Sequence, residues 1–327
     1  MRRVATHLLV LYLVTVFLVA SNAEAAVTST AQFEKIFYYT DKRGGVEALR
    51  ANINKIDIFA PQVYMVDAKL QVNGGVQNEE VRQIIAEHNV RVMPLVANDR
   101  FRQTIIHALL ASSTAQDAVI RSLIDEARTK HYIGWQFDFE HIHYLDKMRY
   151  TNFVKKTHDE FQKHNLILSL AVVVRKNDAV NDFYKNWSGA FDYKALADNS
   201  DFLSVMTYDD PDSSGPAAAI PYVTGILKYL RGKVPPEKLS MGIPLYYWGW
   251  RVAPLAKVRL DGTHDRLVML KEVYSYKEGF DAKLGVPWLT YPRYGRTYKI
   301  WFENQKSFEL KIGLIEKYKL RGFSAWA

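Results

Sequence analysis

The sequence predicts an α/β protein folded as a (β/α)8, or TIM, barrel with a small α+β lobe inserted between its seventh and eighth strands. Three observations carry that expectation. Eight short apolar runs recur along the chain, stretches of helical periodicity separate them, and one long aromatic interval interrupts the rhythm near the end. A barrel of this kind needs about 250 residues. The chain has 327, of which 48% are hydrophobic and 24% charged, enough for one large core.

The runs are Lys35–Tyr39, Ile56–Val66, Val90–Val96, Trp135–Phe139, Leu166–Val174, Phe202–Tyr208, Leu239–Tyr246 and Gly322–Trp326. Each is rich in Val, Ile, Leu, Phe or Tyr, as expected of parallel strands covered on both faces. Helices are expected over Asn78–His88, Thr114–Lys130, Tyr150–His164, Tyr193–Ala197, Ala219–Leu230 and Ser307–Lys319. Tyr150, Phe153, Thr157 and Phe161, for instance, recur at three- and four-residue steps and so form one stripe to bury. Residues 251–306 are too long for a single connection and hold five tyrosines and two tryptophans. Such length without structure is uncommon, which points to the inserted lobe. An open doubly wound sheet is the competing architecture, but no Gly-rich phosphate turn follows the first run. The sequence ends at Ala327, straight after the eighth run, with no residues left for a helix beyond it.

Residues 1–25 read as a signal peptide and 26–327 as the domain proper. Arg2 and Arg3 precede an apolar stretch, Leu8–Ala20, and Ala23-Glu24-Ala25 supplies a small-residue cleavage site. That stretch is short of the ~20 residues a membrane span needs, so no stable membrane insertion is expected after cleavage. A secreted, periplasmic or cell-envelope location follows. There is no cysteine, hence no disulfide and no thiol nucleophile. The formal charge of +8 is spread along the chain without a Lys/Arg run, which argues against a nucleic-acid partner and favours anionic surfaces such as cell wall. A monomer is expected.

The fourth run carries the chemistry. With a period of two, Gln136, Asp138 and Glu140 share one face while Trp135, Phe137 and Phe139 share the other. Three large aromatics suit the helix layer, so the polar set faces the lumen and Glu140 reaches the C-terminal rim, where active sites of this fold lie. Two carboxyls one pleat apart push one pKa upward, producing an acid still protonated near neutrality. A solvated strand end is the bland alternative, and the inward face argues against it. His141 and His143 lack a third ligand, so no metal is expected. Asp178, Asp182, Trp187 and Trp250 occupy plausible cleft positions, though each individually suits packing or solvation better. The aromatic share, 13% with 7 Trp and 20 Tyr, suits sugar platforms and core filling equally.

Gln136-Phe137-Asp138-Phe139-Glu140 resembles the fourth-strand motif of family 18 glycoside hydrolases, the chitinase family, written Asp-x-x-Asp-x-Asp-x-Glu. Met206-Thr207-Tyr208-Asp209 is similar to the family's sixth-strand Met-x-Tyr-Asp. Gly242-Ile243-Pro244-Leu245-Tyr246-Tyr247 resembles its seventh strand, and Gly322-Phe323-Ser324-Ala325-Trp326 its eighth. The resemblance implies a retaining glycosidase acting on β-1,4-linked N-acetylglucosamine polysaccharide, either chitin or peptidoglycan glycan. It also implies that the substrate's own N-acetyl oxygen serves as nucleophile. Glu140 would then protonate the leaving oxygen and later activate water, Asp138 orient the acetamido group, and Tyr208 hydrogen-bond its carbonyl. Gln136, Asp209, Met206, Trp326, Tyr246 and Trp248 become substrate-binding candidates, Trp326 as the floor and Tyr246 and Trp248 as rim platforms. No cofactor is implied. A chitinase-like lectin is the alternative, but lectin-type relatives generally lose the acid that this chain keeps as Glu140.

Two departures stand out: Ile133 and Gln136 occupy positions where the pattern has Asp. Asp210-Pro211 after Asp209, with Gly215-Pro216 and Pro221-Tyr222-Val223, resembles instead the bacterial branch that includes cell-wall lytic members. Gln136 cannot exchange a proton, although its amide can donate to Asp138. A changed pH profile rather than lost activity is therefore expected. The pH–rate curve of Gln136→Asp should separate from the parent's, and overlay of the two would contradict this.

Overall fold

The computed structural model describes residues 33–40 and 44–326; the expected signal peptide lies outside them. Eight parallel strands form one sheet: Glu34–Tyr39, Ile58–Val66, Leu95–Asn98, Gly134–Asp138, Ile167–Val173, Phe202–Met206, Leu239–Pro244 and Gly322–Trp326. They pair in chain order, and the eighth pairs with the first as well as the seventh, Ser324 lying opposite both Ile36 and Gly242. The sheet therefore closes into a (β/α)8 barrel, and the open doubly wound alternative falls. No described helix is long and apolar enough to cross a membrane.

The two faces of the strands divide the core. Outside, Trp135, Phe137 and Phe139 join the helix layer, where Phe137 stacks on Phe153 of the helix Lys147–Gln162 at 5.5 Å. Burying each such ring stabilises the fold by roughly 1.5–3 kcal/mol. Inside, Ile36, Ile58, Met93 and Phe202 fill the lumen, with Ile133 and Ile167 packed against them. Strict alternation would send Ile133 outward with Trp135. Gly134 breaks the pleat: its φ is +157°, and a Cβ there would lie 2.0 Å from the Ile167 carbonyl oxygen. Only glycine tolerates that approach. The kink puts residues 133 and 136 on one side.

Several elements differ from the sequence reading. The third run forms two pieces, Arg91–Val92 and Leu95–Asn98. Pro94 between them has no N–H for the ladder, while its carbonyl still accepts from the backbone N–H of Gln136 at 2.9 Å. The sixth and seventh strands stop at Met206 and Pro244, which leaves Tyr208 and Tyr246 beyond the sheet. Helices Gly45–Asn52 and Gln103–Ala111 were not anticipated. The second buries Ile105, Ile106, Leu109 and Leu110, which share one face of a nine-residue helix.

The lobe is a five-stranded antiparallel sheet with one helix, His264–Val273. Its strands are Tyr247–Ala253, Leu255–Gly262, Lys277–Asp281, Val286–Arg293 and Arg296–Trp301, so it begins four residues before the expected boundary. One face, with Tyr247, Leu289, Tyr291 and Ile300, packs on Leu267 and Leu270 of the helix. The register puts Trp248, Trp250, Trp288 and Trp301 on the other face.

Gly134→Ala should destabilise the barrel by about 3 kcal/mol, because either backbone must move to admit the methyl. An unchanged urea unfolding midpoint would contradict the role given to Gly134.

Candidate active site

The fourth strand delivers Asp138 and then Glu140 to the C-terminal mouth of the barrel. A cavity of about 410 Å³ opens there, with both carboxyls, Tyr208, Trp187 and Gln62 in its wall. Asp138 is 3% exposed and accepts from the Gln62 side-chain amide at 3.0 Å. Glu140 accepts from the indole N–H of Trp187 at 3.1 Å. Its backbone is clamped from both ends by Asn98, which accepts from the Glu140 N–H at 3.0 Å and donates to the Glu140 carbonyl at 3.2 Å. Trp187 belongs to a single π-helical turn, Tyr184–Ser188, and its ring stacks on His141 at 4.5 Å.

Both carboxyls are pushed above the ordinary range. For Glu140 burial is the larger cause and the Asp138 charge the second, with the Trp187 N–H opposing and Asp209 adding a little. For Asp138 burial raises and Gln62 lowers. The like charge, put first by sequence reasoning, thus ranks behind desolvation. Glu140 is displaced further and is the member that keeps its proton as pH rises. Tyr208 is pushed well above 10 by burial and stays a neutral phenol. Its hydroxyl has no hydrogen bond among the described residues and lies in the cavity wall.

The chain leaves both site strands through left-handed residues, His141 at φ +54° after Glu140 and Asp209 at φ +57° after Tyr208. His and Asp are among the few side chains that accept this region, at a cost of order 1 kcal/mol. Asp209 accepts from the Tyr246 hydroxyl; burial raises its pKa, while Tyr246 and Arg259 lower it.

The sequence candidates separate by place. Asp209, Met206, Trp248 and Trp326 line the cavity with the carboxyls, and Trp326 rests on Tyr38 at 5.0 Å. Tyr246 is not in the wall and acts on it through Asp209. Gln136 is fully buried below the cavity. Its amide donates to Ser169 at 2.6 Å and Ser204 at 2.9 Å, and Ser324 bridges Ser204 and Ser240. The expected bond from Gln136 to Asp138 is therefore not formed; serines on the strands beyond it take its N–H groups, and Gln62 takes its place. Trp187 and Trp250 line the cavity, whereas Asp178 is an outer residue paired with Arg175 and Asp182 is exposed. His141 faces Trp187 and His143 faces Tyr144; among the described residues no group of three or more His, Cys, Asp or Glu could hold a metal.

Gln62, Asn98 and Arg259 were missed. Gln62 had a signal, being the polar residue in phase with inward-facing Ile58 and Ala60 at the late end of its strand. Asn98 is the last residue of the third strand, and nothing local marks what it reaches. Arg259 comes from the lobe, whose placement over the barrel is not a local property.

The profile of the family described as "Glycosyl hydrolases family 18" matches residues 27–327. The cortical fragment-lytic enzyme of Bacillus subtilis is 26% identical over 259 residues, covering 75% of this chain and 58% of that protein. This chain thus spans less than two thirds of that relative. Di-N-acetylchitobiase of Rattus norvegicus is 32% identical over 163 residues, 42% of this chain and 44% of that one. The crystal structure of chitinase from Chromobacterium violaceum superimposes with a TM-score of 0.81 at 23% identity, covering 90% of this chain and 94% of its own, a likeness of fold.

Trp187→Phe should raise the titration midpoint of Glu140. The indole N–H favours the charged carboxylate, and a hydrogen bond to a charged group contributes about 1.5–3 kcal/mol, or about one to two pH units. Carboxyl carbon NMR would read the shift, and an unmoved midpoint would show that the indole does not bias the proton.

Proposed function

This chain belongs to glycosyl hydrolase family 18, and on that premise we propose that it is a secreted glycosidase cleaving β-1,4-linked N-acetylglucosamine-containing glycan by a retaining, substrate-assisted route. The observation that carries the reading is one cavity holding three prepared groups: a proton-retaining Glu140, a buried Asp138 and a Tyr208 hydroxyl unengaged among the described residues. The names of the relatives, a cortical fragment-lytic enzyme, a di-N-acetylchitobiase and a chitinase, support glycans of this class.

In the proposed reaction Glu140 gives its proton to the bridging oxygen as the glycosidic bond breaks. The oxygen of the substrate's acetamido group closes on the anomeric carbon, so no protein nucleophile is needed. Asp138, held by Gln62, accepts from the acetamido N–H and offsets the positive charge of the ring that forms. The Tyr208 hydroxyl donates to the acetamido oxygen and sets its line of attack. Glu140, now a carboxylate, removes a proton from the water that opens the intermediate, and two inversions leave the configuration retained. Trp326 offers the sugar an apolar face, while Trp248 stands in the wall with Arg259 over its ring. Export rests on the N-terminal pattern Arg2, Arg3, Leu8–Ala20 and Ala23-Glu24-Ala25.

The test uses protein recovered from culture supernatant, whose N-terminus the proposal puts at Ala26. Incubated with chitooligosaccharides and separately with purified peptidoglycan, it should release reducing ends from at least one. Glu140→Gln should lower the rate by about 10²–10⁴-fold and Tyr208→Phe by about 10²-fold. Binding without cleavage by the parent protein would turn the reading to a lectin.

A further inference from the structure

The lobe holds charge that the glycosidase reading does not use. Between Tyr247 and Trp301 there are ten Lys or Arg and five Asp or Glu, a surplus of five within a chain whose whole formal charge is +8. Part of that surplus is ordered in space. Cross-strand register aligns Arg259, Trp250, Lys299, Thr290 and Lys277 in one row on the face away from the lobe's helix. A parallel row on that face holds Asp261, Trp248, Trp301 and Trp288, so the face carries one acid next to its three aligned cations. Arg259 and Trp250 stand in the wall of the catalytic cavity, so the row starts there and crosses the sheet away from it.

Two of the row's three cations are held by rings rather than by carboxylates. The Arg259 guanidinium lies 4.5 Å from the Trp248 ring, and the Lys299 ammonium lies 4.1 Å from Trp301 and 4.8 Å from Trp288. None of Arg259, Lys277 and Lys299 forms an ion pair among the described residues; Asp209 acts on Arg259 and Asp281 on Lys299 only at longer range. On the helix side, by contrast, Lys271 is paired with Glu278. Solvated lysines are ordinary, but three cations in register, two of them seated on indoles and one in the cavity wall, form a directed feature.

We propose that this face is an anion-reading extension of the catalytic cavity that selects glycans bearing carboxylates on alternate sugars. This rests on the glycosidase reading and deepens it. Successive cations are two strands apart, about 9.6 Å at the usual strand spacing, close to the length of a disaccharide. A carboxylate on every second sugar would meet Arg259, Lys299 and Lys277 in turn while the intervening rings pass over Trp250 and Thr290. A neutral chitin chain could use Trp250 and Trp288 and would leave the charges idle, Trp248 and Trp301 being buried under Arg259 and Lys299.

The full chain carrying Glu140→Gln, which holds substrate uncut, provides the test. Its affinity would be measured by calorimetry for peptidoglycan saccharides with free carboxylates, for the same saccharides with those groups amidated, and for chitooligosaccharides of equal length. The carboxylated form should bind about tenfold more tightly than the amidated one, as two or three partly exposed charge contacts would give. That ratio should fall toward one when Lys277→Gln and Lys299→Gln are added, and at about 1 M salt, where screening is nearly complete. Lys277→Gln alone, at an exposed position, should lower it partway and guards against misfolding of the Lys299 variant. Equal affinity for native and amidated saccharides, or a ratio that survives both substitutions, overturns the inference while the glycosidase reading stands. Failure to bind any of the three glycans, with no cleavage by the parent protein, overturns both.

Discussion

Two carboxyl groups withdrawn from water at the end of one strand cannot both be charged without a large desolvation cost. The surroundings of Asp138 and Glu140 are arranged around that constraint. One proton shared unequally satisfies it, and the donors decide the sharing: Gln62 for Asp138 and the Trp187 indole for Glu140. Neither donor cancels the effect of burial, so both groups stay displaced upward and Glu140 is left as the acid. Asn98 adds a geometric condition by gripping the Glu140 backbone at both its N–H and its carbonyl. A general acid must hold both its proton and its place, and here separate residues secure each.

Below the carboxyls the lumen changes character. Gln136 and the serines Ser169, Ser204, Ser240 and Ser324 form a neutral hydrogen-bonded layer, and Ile36, Ile58 and Ile133 belong to the apolar packing of the lumen. Where the family pattern has further aspartates, this chain has Ile133 in that packing and Gln136 in the serine layer. The layers directly below the carboxyl pair are therefore neutral. Proton traffic through Gln136 is not available, and the carboxyl pair is insulated from below.

The lobe repeats the two-faced logic of the barrel strands in antiparallel form. Alternation gives Tyr247, Leu289, Tyr291 and Ile300 to its helix and gives the tryptophans and unpaired cations to the cavity side. One packing face anchors the insertion, which frees the other to extend the site. Arg259 joins the two regions, since it sits in the cavity wall and also lowers the pKa of Asp209.

Hydrophobic patterning by itself determined the barrel, the inserted lobe and the inward phase of Asp138 and Glu140, because period and burial are local properties of a strand. The ordered motifs around Glu140, Tyr208 and Trp326 likewise made the family legible from residues alone. Local sequence could not place partners that are distant in the chain. Gln62 reaches Asp138 across 76 positions, Asn98 reaches Glu140 across 42 and Trp187 across 47, and each meets its carboxyl only because the barrel closes. The same closure settled what Gln136 bonds, since Ser169 and Ser204 lie on the two strands that follow its own. Which groups touch the carboxyls, and hence which one keeps its proton, was decided by tertiary structure, because desolvation depends on everything packed around a group and not on its neighbours in the chain.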